Sequence, residues 1–142
     1  MRNSCRATLL LLAAVAALSP TLTAAAEEPC PFPGQRPMLV TQLFFGQRVG
    51  GGGRVTPREW RSFLARTVTP RLPDGFTVSD GYGQWLDPGT RKIAREPSKV
   101  LLVAAPDDPA LRARIGEIVA AYRDHFRQQS VGVVTSRGCA AF

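Results

Sequence analysis

Two stretches of apolar residues at three- and four-residue spacing, each opened by a capping residue and a proline, set the shape that this chain can take. The first begins at Thr56-Pro57, with Glu59 placed to close a capping box, and carries Trp60, Phe63, Leu64 and Val68 before Pro70 stops it. The second begins at Asp108-Pro109 and carries Leu111, Ile115, Ile118, Val119, Tyr122 and Phe126 along one stripe. Each is an amphipathic helix that must bury one face against something else.

Four β-rich segments supply that something. Met38–Phe45 is bounded by Gly46, and Phe76–Trp85 follows the turn Leu72-Pro-Asp-Gly75. Ser98–Ala105 runs through Val100-Leu-Leu-Val103, a continuous apolar run expected to be buried on both faces, and Ser130–Thr135 comes last. The order β-α-β-β-α-β predicts an α+β fold of the ferredoxin-like type, a four-stranded antiparallel sheet with two helices on one face. In the second strand Phe76, Val78, Asp80, Tyr82 and Gln84 share one side, and Thr77, Ser79, Gly81, Gly83 and Trp85 the other. If the Phe76 side meets the helices, the small-residue side lies open. With Leu101 and Val103 expected beside it, that face calls for cover, and a second copy packed sheet to sheet, a homodimer, is the expected partner.

The segment before the domain has a different character. Arg2 and Arg6 precede an unbroken apolar run, Leu9–Leu18, then Ser19-Pro20 and Ala24-Ala25-Ala26. That is the layout of a signal peptide spanning residues 1–26, cleaved near Ala26, and the run is too short to remain as a membrane span. The expectation is an exported protein, periplasmic or secreted, with a Pro-rich tether at 27–37 and a single domain at 38–142. Removal of Arg2 and Arg6 lowers the net charge from +7 to +5. The positive residues are scattered between Arg36 and Arg137, which speaks against a nucleic-acid site and for a soluble basic surface. Cys5 leaves with the signal, so Cys30 and Cys139 remain as a pair in an oxidising compartment, where a disulfide is expected. Closing a loop of about 110 residues is worth up to ~4 kcal/mol in the chain-entropy picture.

Three pieces of the domain resemble a known family. Thr69-Pro70-Arg71, Asp80-Gly-Tyr-Gly-Gln-Trp85 and Arg95-Glu-Pro-Ser-Lys-Val100 occur in the order found in a bacterial family of exported proteins catalogued as domain of unknown function 3574. The resemblance covers about Gln42 to Phe142. It implies small size and export, and brings no catalytic residues or cofactor with it.

No Gly-x-Ser-x-Gly elbow, His-Glu-x-x-His, Cys-x-x-Cys or Walker loop is present, and the sequence points to no cofactor and no metal site. His125, the single histidine, sits between Arg123 and Arg127, as expected of a solvated helix end. Two clusters remain. Asp80, Tyr82, Gln84 and Trp85, with Arg95 and Lys99 returning on the next strand, combine aromatic area with hydrogen-bonding and positive groups, a mixture suited to a small anionic or sugar-like ligand. The plainer alternative is that Trp85 packs while Asp80 pairs with Arg95 or Lys99. Around the Gly50–Gly53 run, Arg48, Gly51, Gly52 and Arg54 form a weaker anion-binding candidate, by analogy with the loop that holds phosphate in acylphosphatases; otherwise it is a solvent-exposed connection. The function expected is a non-catalytic binding or interaction module. The alternative is a small enzyme on an anionic substrate, acylphosphatase-like or built like a dimeric α+β barrel, with Asp80 or Glu96 as general base.

Overall fold

The computed structural model describes residues 30–49 and 51–142; the expected signal peptide, the first part of the expected tether and Gly50 lie outside the described residues. Four strands and two helices alternate along the chain: β1 (Arg36–Gly46), α1 (Pro57–Phe63), β2 (Thr77–Leu86), β3 (Ile93–Ala105), α2 (Pro109–Phe126) and β4 (Gly132–Ala140). The strands form one antiparallel sheet in the order β2-β3-β1-β4, so each helix links two strands that have a third between them. The expected α+β architecture, a four-stranded antiparallel sheet with two helices, is the one present.

The helix starts follow their local chemistry. Thr56 Oγ1 accepts from the Glu59 N–H, and the Glu59 carboxylate accepts from the Thr56 N–H, with Pro57 at the first helical position. Those bonds to Thr56, first the hydroxyl and then the backbone, hold the Glu59 carboxyl below the usual carboxylate range. Asp108 caps α2 through the Leu111 N–H at 2.6 Å. After Phe63 the first helix widens into a π-helical segment, Leu64–Val68, where the Thr69 N–H reaches back five residues to the Leu64 carbonyl. Arg71 ends it, bonding the Thr67 carbonyl and pairing with Glu117 on α2 at 2.8 Å.

Both helices cover the same sheet face. Leu43, Phe45, Leu101 and Val103 point from the sheet into a core shared with Trp60, Phe63, Ile118, Tyr122 and Phe126. Its centre is aromatic: the Phe45 ring lies 4.7 Å from that of Tyr122 and 5.3 Å from that of Trp60, edge-on or tilted.

Four details differ from the sequence reading. Arg36 and Pro37, placed in the tether, already pair with Ala140 and Cys139. β3 begins at Ile93, five residues before Ser98, although Pro97 lies inside it. The Pro97 carbonyl accepts from the Gln47 N–H on the β1 side, where β1 is ending, so the missing N–H interrupts no ladder. β4 begins at Gly132 and runs on to Ala140. The run Val100–Val103 is buried on one face only: Leu101 and Val103 face the helices, while Leu102 is 40% exposed on the other side. Strict alternation therefore assigns Val100 and Leu102, not Leu101 and Val103, to the open face. The expected disulfide is formed, joining Cys30 to Cys139 with their Cα atoms 5.6 Å apart.

Candidate functional site

The pairing register decides which side chains can meet. Asp80 lies opposite Lys99, Tyr82 opposite Pro97 and Gln84 opposite Arg95, all on the helix side of the sheet, where Asp80, Pro97 and Lys99 line a hollow with Thr56 and Pro57 at the start of α1. Here Asp80 is ion-paired with Lys99, and Arg95 Nε donates to Gln84 Oε1 at 3.2 Å. Tyr82 is 72% exposed. Trp85 does not join them. It faces the opposite side of the sheet with Gly83 and Gly81, so the expected cluster of six is divided between two faces by the two-residue period of the strand.

On the open face Trp85 meets a residue singled out only in the enzyme alternative. Its indole Nε1 donates to Glu96 Oε1 at 3.1 Å, and the other carboxylate oxygen accepts from the Arg48 N–H at 3.0 Å. The carboxylate lies against Gly46, where a Cβ would stand 2.9 Å from Oε1; only glycine leaves this room. Around the pair a groove of about 440 Å³ opens, floored by Phe44 and Trp85 and walled by Ser98, Gln129 and Arg127. Arg127 ends α2 in the left-handed conformation, φ 52°, a strained choice for a non-glycine that turns the following segment toward this groove.

A buried polar network underpins the groove from the helix side. The Tyr122 hydroxyl donates to the Gly46 carbonyl at 2.8 Å and accepts from Gln47 Nε2 at 3.0 Å, and Gln47 Nε2 also donates to the Phe45 carbonyl at 3.1 Å. Burial holds the Tyr122 phenol far above its ordinary value, outweighing the Gln47 bond, so it stays a neutral donor. The end of β1, including Gly46, is thereby fixed from behind.

The glycine-rich loop brings Arg48 and Arg54 together with Gly52 and Gly53 around a hollow of about 400 Å³. Arg48 and Arg54 pair as an antiparallel bridge, and Gly51, Gly52 and Gly53 all take positive φ to turn the chain between them. The loop therefore closes on itself ahead of α1, whose own first N–H groups are engaged by Thr56 and Glu59. Besides the hollow they share, Arg48 reaches the groove and Arg54 lines a further hollow with Asp80 and Lys99. Among the described residues, no group of three or more His, Cys, Asp or Glu side chains could hold a metal ion, and no helix is long and apolar enough to cross a membrane.

Phe44, Gly46, Ser98, Arg127 and Gln129 did not stand out in the sequence. Phe44 and Gly46 look like ordinary strand residues, and only their register with Val100, Gly132 and Ser98 brings them beside the groove.

The fold and this groove define a small α+β domain with an aromatic-floored site on its uncovered sheet face. The chain belongs to the family described as protein of unknown function (DUF3574), which matches residues 40–142. No curated protein matches the sequence. Among solved structures, a phage SAM lyase in complex with S-methyl-5'-thioadenosine is similar in fold, with a TM-score of 0.58 at 14% identity, covering 74% of this chain and 90% of that one. The same phage lyase in its apo state gives 0.55 at 16% identity, covering 71% and 81%.

Proposed function

We propose that this is an exported, non-catalytic binding domain that takes a small, uncharged polar ring of sugar type in the Trp85–Glu96 groove. The observation that carries the reading is the Trp85 indole, 38% exposed and held by Glu96, at the floor of a groove whose volume lies within the range of small-ligand sites. A flat aromatic surface beside a carboxylate, a hydroxyl and an amide matches a ring with one apolar face and a rim of hydroxyl groups. Glu96 opposes an anionic ligand, but Arg48 and Arg127 also line the groove, so a ring carrying a negative group is the competing ligand, while Lys99 and Arg95 lie on the other face, paired with Asp80 and bonded to Gln84.

The alternative, a small enzyme, draws on the likeness of fold to the phage lyase, whose structure holds S-methyl-5'-thioadenosine. Trp85 would also suit a purine ring, and Glu96 would then serve as a base. Asp80 is a poor candidate for that role, because its side chain is 83% exposed and paired with Lys99.

Thermal-shift measurements on the mature, oxidised protein separate these readings. A saccharide at 100 times its dissociation constant should stabilise by ~2.7 kcal/mol, and Trp85→Ala should abolish the shift. A shift given by phosphate or sulfate and kept in Trp85→Ala would overturn the proposal, as would turnover of S-methyl-5'-thioadenosine or a related sulfonium compound that Glu96→Gln abolishes. Export is tested by N-terminal sequencing of the protein recovered from the periplasm or medium, with Glu27 expected as the first residue.

A further inference from the structure

A sheet face turned to water ordinarily alternates with polar and charged side chains. The open face here carries the exposed polar residues Gln42, Thr77, Ser79 and Ser136 but almost no charge. From the level of Val40 to that of Trp85, Glu96 is its sole ionisable side chain among the described residues, and that carboxylate is engaged by Trp85 and Arg48. Phe44, Leu102 and Val134 lie on it 37%, 40% and 56% exposed, with Val40 and Val100 between them. The face is also flat. Glycine stands beside three of its bulky residues: Phe44 lies against Gly132, Val100 against Gly81 and Val40 against Gly138, each 3.3 Å from where a Cβ would be.

We infer that this face is the seat of a second copy of the same chain, packed sheet on sheet about a two-fold axis. Four strands at ~4.8 Å spacing and about eight residues at ~3.3 Å rise give roughly 500 Å² per copy. The pair then buries roughly 1,000 Å², the lower bound for a specific interface. The lack of charge is the mark of an interface centre, and a flat uncharged surface complements itself under a two-fold, whereas it carries no pattern by which a charged partner would be chosen. The Trp85–Glu96 groove lies at one end of the same face, so the second copy supplies the wall that it lacks. The inference stands on the composition of the face and not on what the groove binds.

Sedimentation velocity on the mature, oxidised protein from 5 to 100 μM tests it. The mass of a dimer is expected, and Leu102→Lys or Ser136→Lys, each exposed in the single copy, should raise the dissociation constant at least 100-fold with the circular dichroism unchanged. Arg61→Glu, on an exposed helix position, should leave the dimer intact. A monomer at 100 μM overturns the inference, and so does a dimer that survives both lysine variants. The two variants, on different strands, keep the test decisive if one of them misfolds.

Discussion

Replacing Gly46 by alanine tests the geometry of the groove with a single methyl group. Gly46 is the last residue of β1 and does not have a positive φ, so alanine suits its backbone; a glycine in a strand ordinarily costs ~0.5–1 kcal/mol relative to alanine. On that ground alone the substitution should stabilise. The added Cβ, however, would stand 2.9 Å from Glu96 Oε1 and 3.0 Å from Oε2, inside contact distance. The carboxylate, the far end of a flexible side chain, must shift away from Trp85 Nε1 and the Arg48 N–H, weakening two hydrogen bonds to a charged group. At about 1 kcal/mol each, this loss exceeds the backbone gain and leaves Gly46→Ala less stable by ~0.5–2 kcal/mol. Removing the carboxylate removes the collision, so in a Glu96→Ala background the same substitution should stabilise by ~0.5–1 kcal/mol. Urea unfolding of the four proteins of this double-mutant cycle measures the coupling, expected near 2 kcal/mol. A coupling below ~0.5 kcal/mol would refute the placement of Glu96 against Gly46.

The remaining predictions concern the frame around the groove. Tyr122→Phe leaves the Gly46 carbonyl and one Gln47 N–H without their partner and should cost ~1–3 kcal/mol, read from the urea midpoint. Thr41 is fully buried with no hydrogen-bond partner for its hydroxyl, so Thr41→Val, close in shape, should stabilise by about 1 kcal/mol in the same assay. Glu59 is held below its unfolded value, so its stabilising effect is present above the ordinary carboxylate range and is lost as pH falls through the lowered folded pKa. The Tm gap between the native protein and Glu59→Gln should therefore narrow as pH falls through and below the ordinary carboxylate range; a gap that widens on acidification would reverse the assignment. Loss of the Cys30–Cys139 bridge, which spans 109 residues, should lower stability by about 4–5 kcal/mol, seen as a fall in Tm of Cys139→Ser relative to the oxidised protein.

The legible parts of this fold were those dictated by local chemistry. Thr56-Pro57 and Asp108-Pro109 marked the helix starts because a capping side chain and a proline act within three residues of each other. Alternation in β2 separated the Val78 side from the Gly83 side correctly. The candidate site was half legible for the same reason. Asp80, Tyr82 and Gln84 share a face, but Trp85, adjacent in sequence, must point the other way, and its partner Glu96 is identified by the pairing of Gly83 with Glu96 across the hairpin. Pro97 hid the start of β3, since a proline in an inner strand is admissible only where a neighbouring strand has ended, and that depends on where β1 stops. Val100–Val103 misled because an apolar run fits a strand buried on both faces equally well as one that buries a single face and presents the other to a partner.

The proposal that ligand binding resides on the open sheet face can be tested by two-dimensional ¹H–¹⁵N NMR during titration with neutral saccharides. The account predicts that the Trp85 indole N–H, released from or shared with Glu96, shifts together with the amides of Gly83, Ser98 and Gln129, while those of Tyr82 and Lys99 stay in place. Shifts confined to Tyr82, Arg95 and Lys99, with the Trp85 indole unmoved, would contradict it.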